Sequence, residues 1–123
     1  MDEDWFDASP YYLNALEEVA DSQRGRSIIL PLLQGSLIPQ IDYARYERSF
    51  QQMTAAGLNE SQAEAVGLAY AADLFHLIQG PPGTGKTWVL ANLAKLLVDD
   101  GQRVLVTALT HRAIHNALNK IPG

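Results

Sequence analysis

Cysteine is absent from this chain of 123 residues, so neither a disulfide nor a thiolate metal site can form. Apolar runs are short, and none approaches the roughly 20 residues that a membrane-spanning helix needs. The first residues are acidic, whereas a signal or transit peptide would be basic there. We therefore expect a cytoplasmic protein without membrane association, placed in the bacterial cytoplasm or nucleoid.

A basic excess is also missing, because Lys and Arg together number 9 while Asp and Glu number 14. A self-sufficient nucleic-acid binder usually has the opposite balance. The charge is uneven: the acids concentrate in the first 21 residues, and the stretch from residue 103 onward has basic residues but no acidic one. Composition alone thus gives no support for nucleic-acid binding, and only the C-terminal end is locally basic.

Residues 1–57 are expected to form a mainly helical segment. Ser9 and Pro10 are typical of a helix start, with Ser9 as the cap, and the helix should run to about residue 23. Residues 28–39 are apolar but broken by prolines, which favours short extended pieces in a connector. An amphipathic helix ending at Gly57 is predicted from apolar residues three and four positions apart, namely Tyr43, Tyr46, Phe50 and Met53.

Residues 58–123 alternate between predicted helices and short apolar strands. This alternation predicts an α/β fold with a parallel sheet and flanking helices. The predicted elements are a helix capped by Asn59, a buried strand over 74–79, a glycine-rich loop over 80–87, a helix ending near Gly101, a strand over 104–108 and a helix from about residue 110.

The glycine-rich loop matches the phosphate-binding pattern G-x-x-x-x-G-K-[ST], between a predicted strand and a predicted helix. Glycine lets backbone N–H groups converge on a phosphate, and a helix N-terminus favours anions. Lys86 is expected to reach the β and γ phosphates, and Thr87 to place its hydroxyl on Mg²⁺. We therefore predict ATP and Mg²⁺ as ligands, Lys86 and Thr87 as catalytic residues, and five backbone amide donors: Gly83, Thr84, Gly85, Lys86 and Thr87.

Hydrolysis also needs an acid that holds the metal and a group that orients water. After Lys86 the only carboxylates are Asp99 and Asp100. They continue a helical pattern that ends at a glycine, so we expect them at a helix C-terminus rather than at a metal site. The chain is accordingly expected to bind ATP and to hydrolyse it poorly by itself.

Residues 57–121 resemble superfamily 1 helicases of the 5′-to-3′ type, the group that contains the nonsense-mediated-decay helicase. Residues 58–66 look like the Q motif of that family, residues 80–87 like motif I, and residues 104–116 like motif Ia. The resemblance implies a partial RecA-like P-loop domain, with residues 1–57 in the position of a stalk-like segment. It also implies a parent protein that is an ATP hydrolase. The loop by itself would fit an AAA-type ATPase equally well.

The resemblance also assigns roles to individual residues. Gln62 matches the glutamine that reads adenine, although with Asn59 it could instead form a capping box. Motif Ia contacts single-stranded nucleic acid, DNA or RNA, and the matching residues here are Thr107, Thr110, His111, Asn116 and the basic Arg112. The two threonines could merely cap the next helix, and Leu109 stands where relatives usually have proline.

In that family, strands that come later in the sequence lie between the motif I and motif Ia strands in the sheet, and here they would follow residue 123. We therefore expect the chain to be the N-terminal piece of a longer helicase or a truncated gene product. A sheet remnant exposes strand edges, so self-association is expected. A further alternative is a nucleotide-responsive interaction module in which residues 1–57 hold a partner.

Overall fold

The structure is a computed structural model and describes residues 7–122. The chain divides into two compact units, one ending at Ile38 and the other beginning at Pro39. The boundary predicted at residue 57 divides the chain by its sequence patterns rather than by its contacts, and it stays a prediction.

The first unit is helical. Helix α1 spans Ser9–Asp21, a π-helix spans Gly25–Ile29, and α2 spans Leu30–Leu33. Ser9 is the first residue of α1 rather than its cap, so that prediction was wrong in detail: Ala8 precedes the helix and makes no side-chain cap. The carboxylate of Asp7 accepts a hydrogen bond from the Ser9 N–H at 3.0 Å. Hydrogen bonding to Ser9 lowers the pKa of Asp7.

The apolar stretch 28–39 is not the extended connector that we predicted. Helical turns continue to Leu33, because Pro31 falls in the first turn of α2, where the missing N–H of proline costs nothing. The break comes at Gly35, whose φ is 72°. Residues 36–40 then follow without helical structure.

Within residues 39–122 the second unit has four helices: α3 (Tyr43–Ala55), α4 (Glu60–Ala71), α5 (Lys86–Asp99) and α6 (His111–Asn119). Each packs against the next along the chain. The main core lies among the first three of these helices, and its buried side chains are Met53, Leu58, Ala63, Val66, Val89 and Leu96. Helices were therefore predicted at these places correctly.

Helices α3 and α4 approach closely at Gly67. A Cβ atom at that position would lie 2.9 Å from the Tyr46 ring, so only glycine allows this packing without a shift. Met53 is buried and Phe50 packs on the same core, as the periodicity indicated. Tyr43 departs from the predicted seam, since it is 71% exposed.

The predicted strands are not formed within residues 7–122. Residues 74–79 and 104–108 form no strand. The sole β-pairing within residues 7–122 is an isolated antiparallel bridge between Ile41 and Ala72. A strand exists only where a neighbour completes its hydrogen bonds, and neither segment has such a neighbour. The parallel sheet is therefore not shown, although the helices that should flank it are present.

No helix within residues 7–122 has both the length and the apolar character needed to cross a membrane.

Candidate nucleotide-binding site

The glycine-rich loop, residues 80–87, leads directly into α5. Gly83 and Gly85 have φ values of 85° and 78°, a region that glycine enters without steric cost. Gly85 is the N-cap of α5 and supplies no side-chain cap; its carbonyl accepts the first helical hydrogen bond, from Val89 N–H at 3.0 Å. The N–H groups of the first turn therefore have no partner within the helix. This donor set fits a phosphate group.

Two side chains of the loop bond to carbonyls of the same loop. The Lys86 ammonium donates to the carbonyl of Gly80 and, at 3.3 Å, to that of Pro81. The Thr84 hydroxyl donates to the Pro81 carbonyl at 2.9 Å. The loop thus holds its shape partly through its own side chains.

Gln62 lies at the N-terminus of α4 and forms the capping box with Asn59. The Asn59 carboxamide oxygen accepts the Gln62 N–H at 2.9 Å, and the Gln62 side-chain oxygen accepts the Asn59 N–H at 3.2 Å. The capping interpretation is therefore correct, but it is incomplete. Nε2 of Gln62 also donates to the Thr84 carbonyl at 3.2 Å. Contact with adenine stays a prediction.

A cavity of about 220 Å³ joins α4 to the loop. The predicted site residues Gln62, Thr84 and Lys86 line it together, so the structure brings the Q-motif segment and the phosphate loop to one place. The other lining residues are Ser61, Ala65, Ile78, Gln79, Gly80, Pro81 and Val89.

Asp99 and Asp100 lie at the C-terminal end of α5, as predicted. Thr87 and Asp99 are twelve positions apart along α5, which at 1.5 Å per residue is about 18 Å. Asp99 is paired with Lys95 at 3.1 Å. Neither aspartate is placed to share a metal with Thr87. Within residues 7–122 there is also no cluster of three His, Cys, Asp or Glu side chains that could hold a metal ion.

A polar cluster of Arg45, Tyr70 and Asp100, which joins three helices, was not predicted from the sequence. Arg45 lies over the Tyr70 ring, 3.8 Å from its centroid, and donates to the Tyr70 carbonyl at 2.9 Å and to Asp100 at 3.0 Å. The Tyr70 hydroxyl donates to the same carboxylate. Burial is the main cause that raises the pKa of Tyr70 above its usual 10.0, and this hydrogen bond is the second. The three residues are far apart in sequence, and no local pattern indicates the contact.

None of the motif Ia candidates lines the loop cavity. The Thr110 hydroxyl accepts the Ala113 N–H at 3.1 Å and caps α6, which supports the capping alternative for this residue. The remaining four candidates are exposed: Thr107, His111, Arg112 and Asn116. A role in nucleic-acid binding stays a prediction for all five.

A family model described as an AAA domain (AAA_11) matches residues 57–123, more than half of the chain. The chain belongs to this AAA domain family. The matched AAA domain contains Gln62, the glycine-rich loop and α6, the same stretch whose motifs resemble superfamily 1 helicases.

Curated relatives of this AAA domain protein carry helicase names. The DNA replication ATP-dependent helicase/nuclease DNA2 of Saccharomyces cerevisiae is 48% identical over 64 residues, covering 52% of this chain and 4% of the relative. The protein of the same name from Bos taurus is 30% identical over 108 residues, covering 86% and 10%. The DNA polymerase alpha-associated DNA helicase A of Schizosaccharomyces pombe is 39% identical over 64 residues, covering 52% and 10%.

These relatives confirm the resemblance to superfamily 1 helicases. The chain spans a tenth or less of the length of each of them. No solved structure matches the chain.

Proposed function

We propose that this chain is the ATP-binding portion of an ATP-dependent DNA helicase. The observation that carries the proposal is the N-terminus of α5, which has no side-chain cap and follows a loop in which two glycines adopt positive φ. Such an N-terminus offers convergent N–H donors to a phosphate. In this role Lys86 would neutralise phosphate charge, and the hydroxyl of Thr87 would hold Mg²⁺, which would supply further positive charge to the phosphates.

A helicase is preferred over a loader or chaperone of the AAA type. The relatives carry helicase names, and Gln62 lies against the phosphate loop, where a residue of the Q motif is expected. Those names also favour DNA over RNA as the nucleic acid. We place the contact to single-stranded DNA on Thr107, Thr110, His111, Arg112 and Asn116, in the complete protein.

Hydrolysis by the 123 residues alone is proposed to be poor. The support is the position of Asp99 and Asp100 at the far end of α5, where both are already paired with cations. The test is to measure ATP binding and ATP hydrolysis with and without single-stranded DNA. We expect binding with negligible turnover. Rapid turnover would contradict the assignment of these aspartates, and absence of binding would contradict the proposal as a whole.

Gln62 is proposed to contact the adenine edge, because a carboxamide donates to one base atom while it accepts from another. The experiment compares ATP with GTP affinity in the wild type and in Gln62→Ala. We expect the wild type to prefer ATP and the variant to lose that preference. An unchanged preference would leave Gln62 with structural roles only.

Self-association is proposed from the two apolar segments without strand partners, residues 74–79 and 104–108. Leu77 and Leu105 are 83% and 86% exposed, and neither segment has a strand neighbour to cover its edge. Light scattering at increasing protein concentration tests this. A rising mass supports self-association, and a monodisperse monomer at high concentration contradicts it.

A further inference from the structure

Gln62 connects the start of α4 to the phosphate loop through a single carboxamide. Its oxygen accepts the Asn59 N–H at 3.2 Å, and its nitrogen donates to the Thr84 carbonyl at 3.2 Å. The first bond fixes the side chain on the helix, so the second reaches the loop from a rigid base. The carboxamide is therefore a direct link between the Q-motif segment and the loop.

The same carboxamide also lies against Gly85. A Cβ atom built on Gly85 would be 2.6 Å from Nε2 of Gln62, so the amide fills the space that any other residue would need. Gln62 thus contacts two consecutive loop residues and covers the peptide group between Thr84 and Gly85.

The orientation of that peptide group decides where an amide donor points. A peptide is planar and trans, so the carbonyl of one residue and the N–H of the next point in opposite directions. The Thr84 carbonyl faces Gln62, and the Gly85 N–H therefore faces away from it. Fixing the carbonyl fixes the direction of the Gly85 N–H.

Without this bond the peptide would be easy to rotate. Rotation changes ψ of Thr84 and φ of Gly85 together, and glycine accepts φ of either sign. Gly85 has a φ of 78°, and the bond from Gln62 to the Thr84 carbonyl favours this one orientation of the peptide.

We propose that Gln62 is a positioning residue for the phosphate loop, which orients the Gly85 N–H for any polyphosphate ligand, with or without a base. The inference rests on the proposed function and adds a role that is independent of adenine. The two roles are compatible: Nε2 retains a second hydrogen and the oxygen a second lone pair, so adenine contact and the loop contact can coexist.

The test uses magnesium tripolyphosphate, a ligand that has no base. Its affinity is measured by calorimetry for the whole chain as wild type, Gln62→Met and Asn59→Ala. Gln62→Met keeps the side-chain length and removes both the bond to Thr84 and the bond from the Asn59 N–H. Asn59→Ala weakens the same helix start but keeps the Gln62 contact with the loop. Circular dichroism and thermal melting of each variant show whether the fold is retained.

We expect Gln62→Met to weaken tripolyphosphate binding by about threefold to tenfold, the range for losing one hydrogen bond. Asn59→Ala should bind like the wild type even though it melts at a lower temperature. Equal binding by wild type and Gln62→Met would overturn this inference and leave the proposed function intact. Equal weakening in Asn59→Ala would also overturn it, because the helix start and not the loop contact would then be responsible.

Two further outcomes separate this inference from the proposed function. A wild type that binds magnesium ATP but no tripolyphosphate would overturn the inference alone, since the effect would then require a base. A wild type that binds neither ligand would overturn the proposed function together with the inference.

Discussion

Substitution of Gly85 by alanine should destabilise the protein through two separate costs. Gly85 has a φ of 78°, and a residue with a Cβ atom pays about 1–2 kcal/mol in this region. The new methyl would also lie 2.6 Å from Nε2 of Gln62 and displace the carboxamide, which loses a hydrogen bond worth about 0.5–1.5 kcal/mol. The expected total is about 1.5–3.5 kcal/mol.

Gly83 provides the matched control. Its φ is 85°, and a Cβ atom there would meet nothing within 4 Å. Gly83→Ala should therefore cost only the conformational part, about 1–2 kcal/mol. Urea unfolding gives both free energies, and Gly85→Ala should exceed Gly83→Ala by about 0.5–1.5 kcal/mol.

A double-mutant cycle with Gln62→Ala isolates the contact further. In that background no carboxamide remains to be displaced, so the cost of Gly85→Ala should fall to that of Gly83→Ala. Equal costs for the two glycines in the wild-type background, or a Gly85→Ala cost that is unchanged when Gln62 is truncated, would contradict the contact between Gly85 and the Gln62 carboxamide.

Three further predictions concern the rest of the second unit. Gly67→Ala should destabilise the protein by about 1 kcal/mol net, since crowding against Tyr46 costs about 1–3 kcal/mol while alanine improves helix propensity by about 1 kcal/mol. Thermal melting measures this cost, and an unchanged melting temperature would contradict the close contact. Thr110→Ala should speed hydrogen exchange at the N-terminus of α6 through loss of a cap worth about 1 kcal/mol, whereas Thr110→Asn should restore protection. Burial and then the hydrogen bond to Asp100 raise the pKa of Tyr70 in the folded state, so neutral Tyr70 stabilises the protein below the ordinary tyrosine pKa, and this contribution is lost as pH rises through the raised value. The stability difference between wild type and Tyr70→Phe should accordingly shrink in alkali, and a pH-independent difference would contradict this.

Helices of the second unit were predictable because their signals are local. Asn59 caps α4 and Gly57 and Gly101 follow helix ends, as capping chemistry requires. The loop over 80–87 was predictable for the same reason, since its function depends on glycines at fixed spacing.

The strands failed because a strand depends on a partner that its own sequence does not contain. Residues 74–79 have the apolar run of a buried strand but no neighbour to pair with. The Arg45 cluster was missed for a related reason: Arg45 and Asp100 are 55 residues apart. Of the two contacts of Gln62, the sequence could predict only the capping box, because that is a local pattern. The bond to Thr84 is not local.

Binding of a nucleotide by the loop at the start of α5 should depend on Lys86. Calorimetric titration with magnesium ATP tests this dependence in the wild type, in Lys86→Ala, and in Lys95→Ala, whose lysine lies on the same helix and pairs with Asp99. We expect binding by the wild type and by Lys95→Ala, and binding at least about tenfold weaker, a loss of about 1.4 kcal/mol, for Lys86→Ala. Equal affinity in all three proteins, or no binding by the wild type, would contradict it.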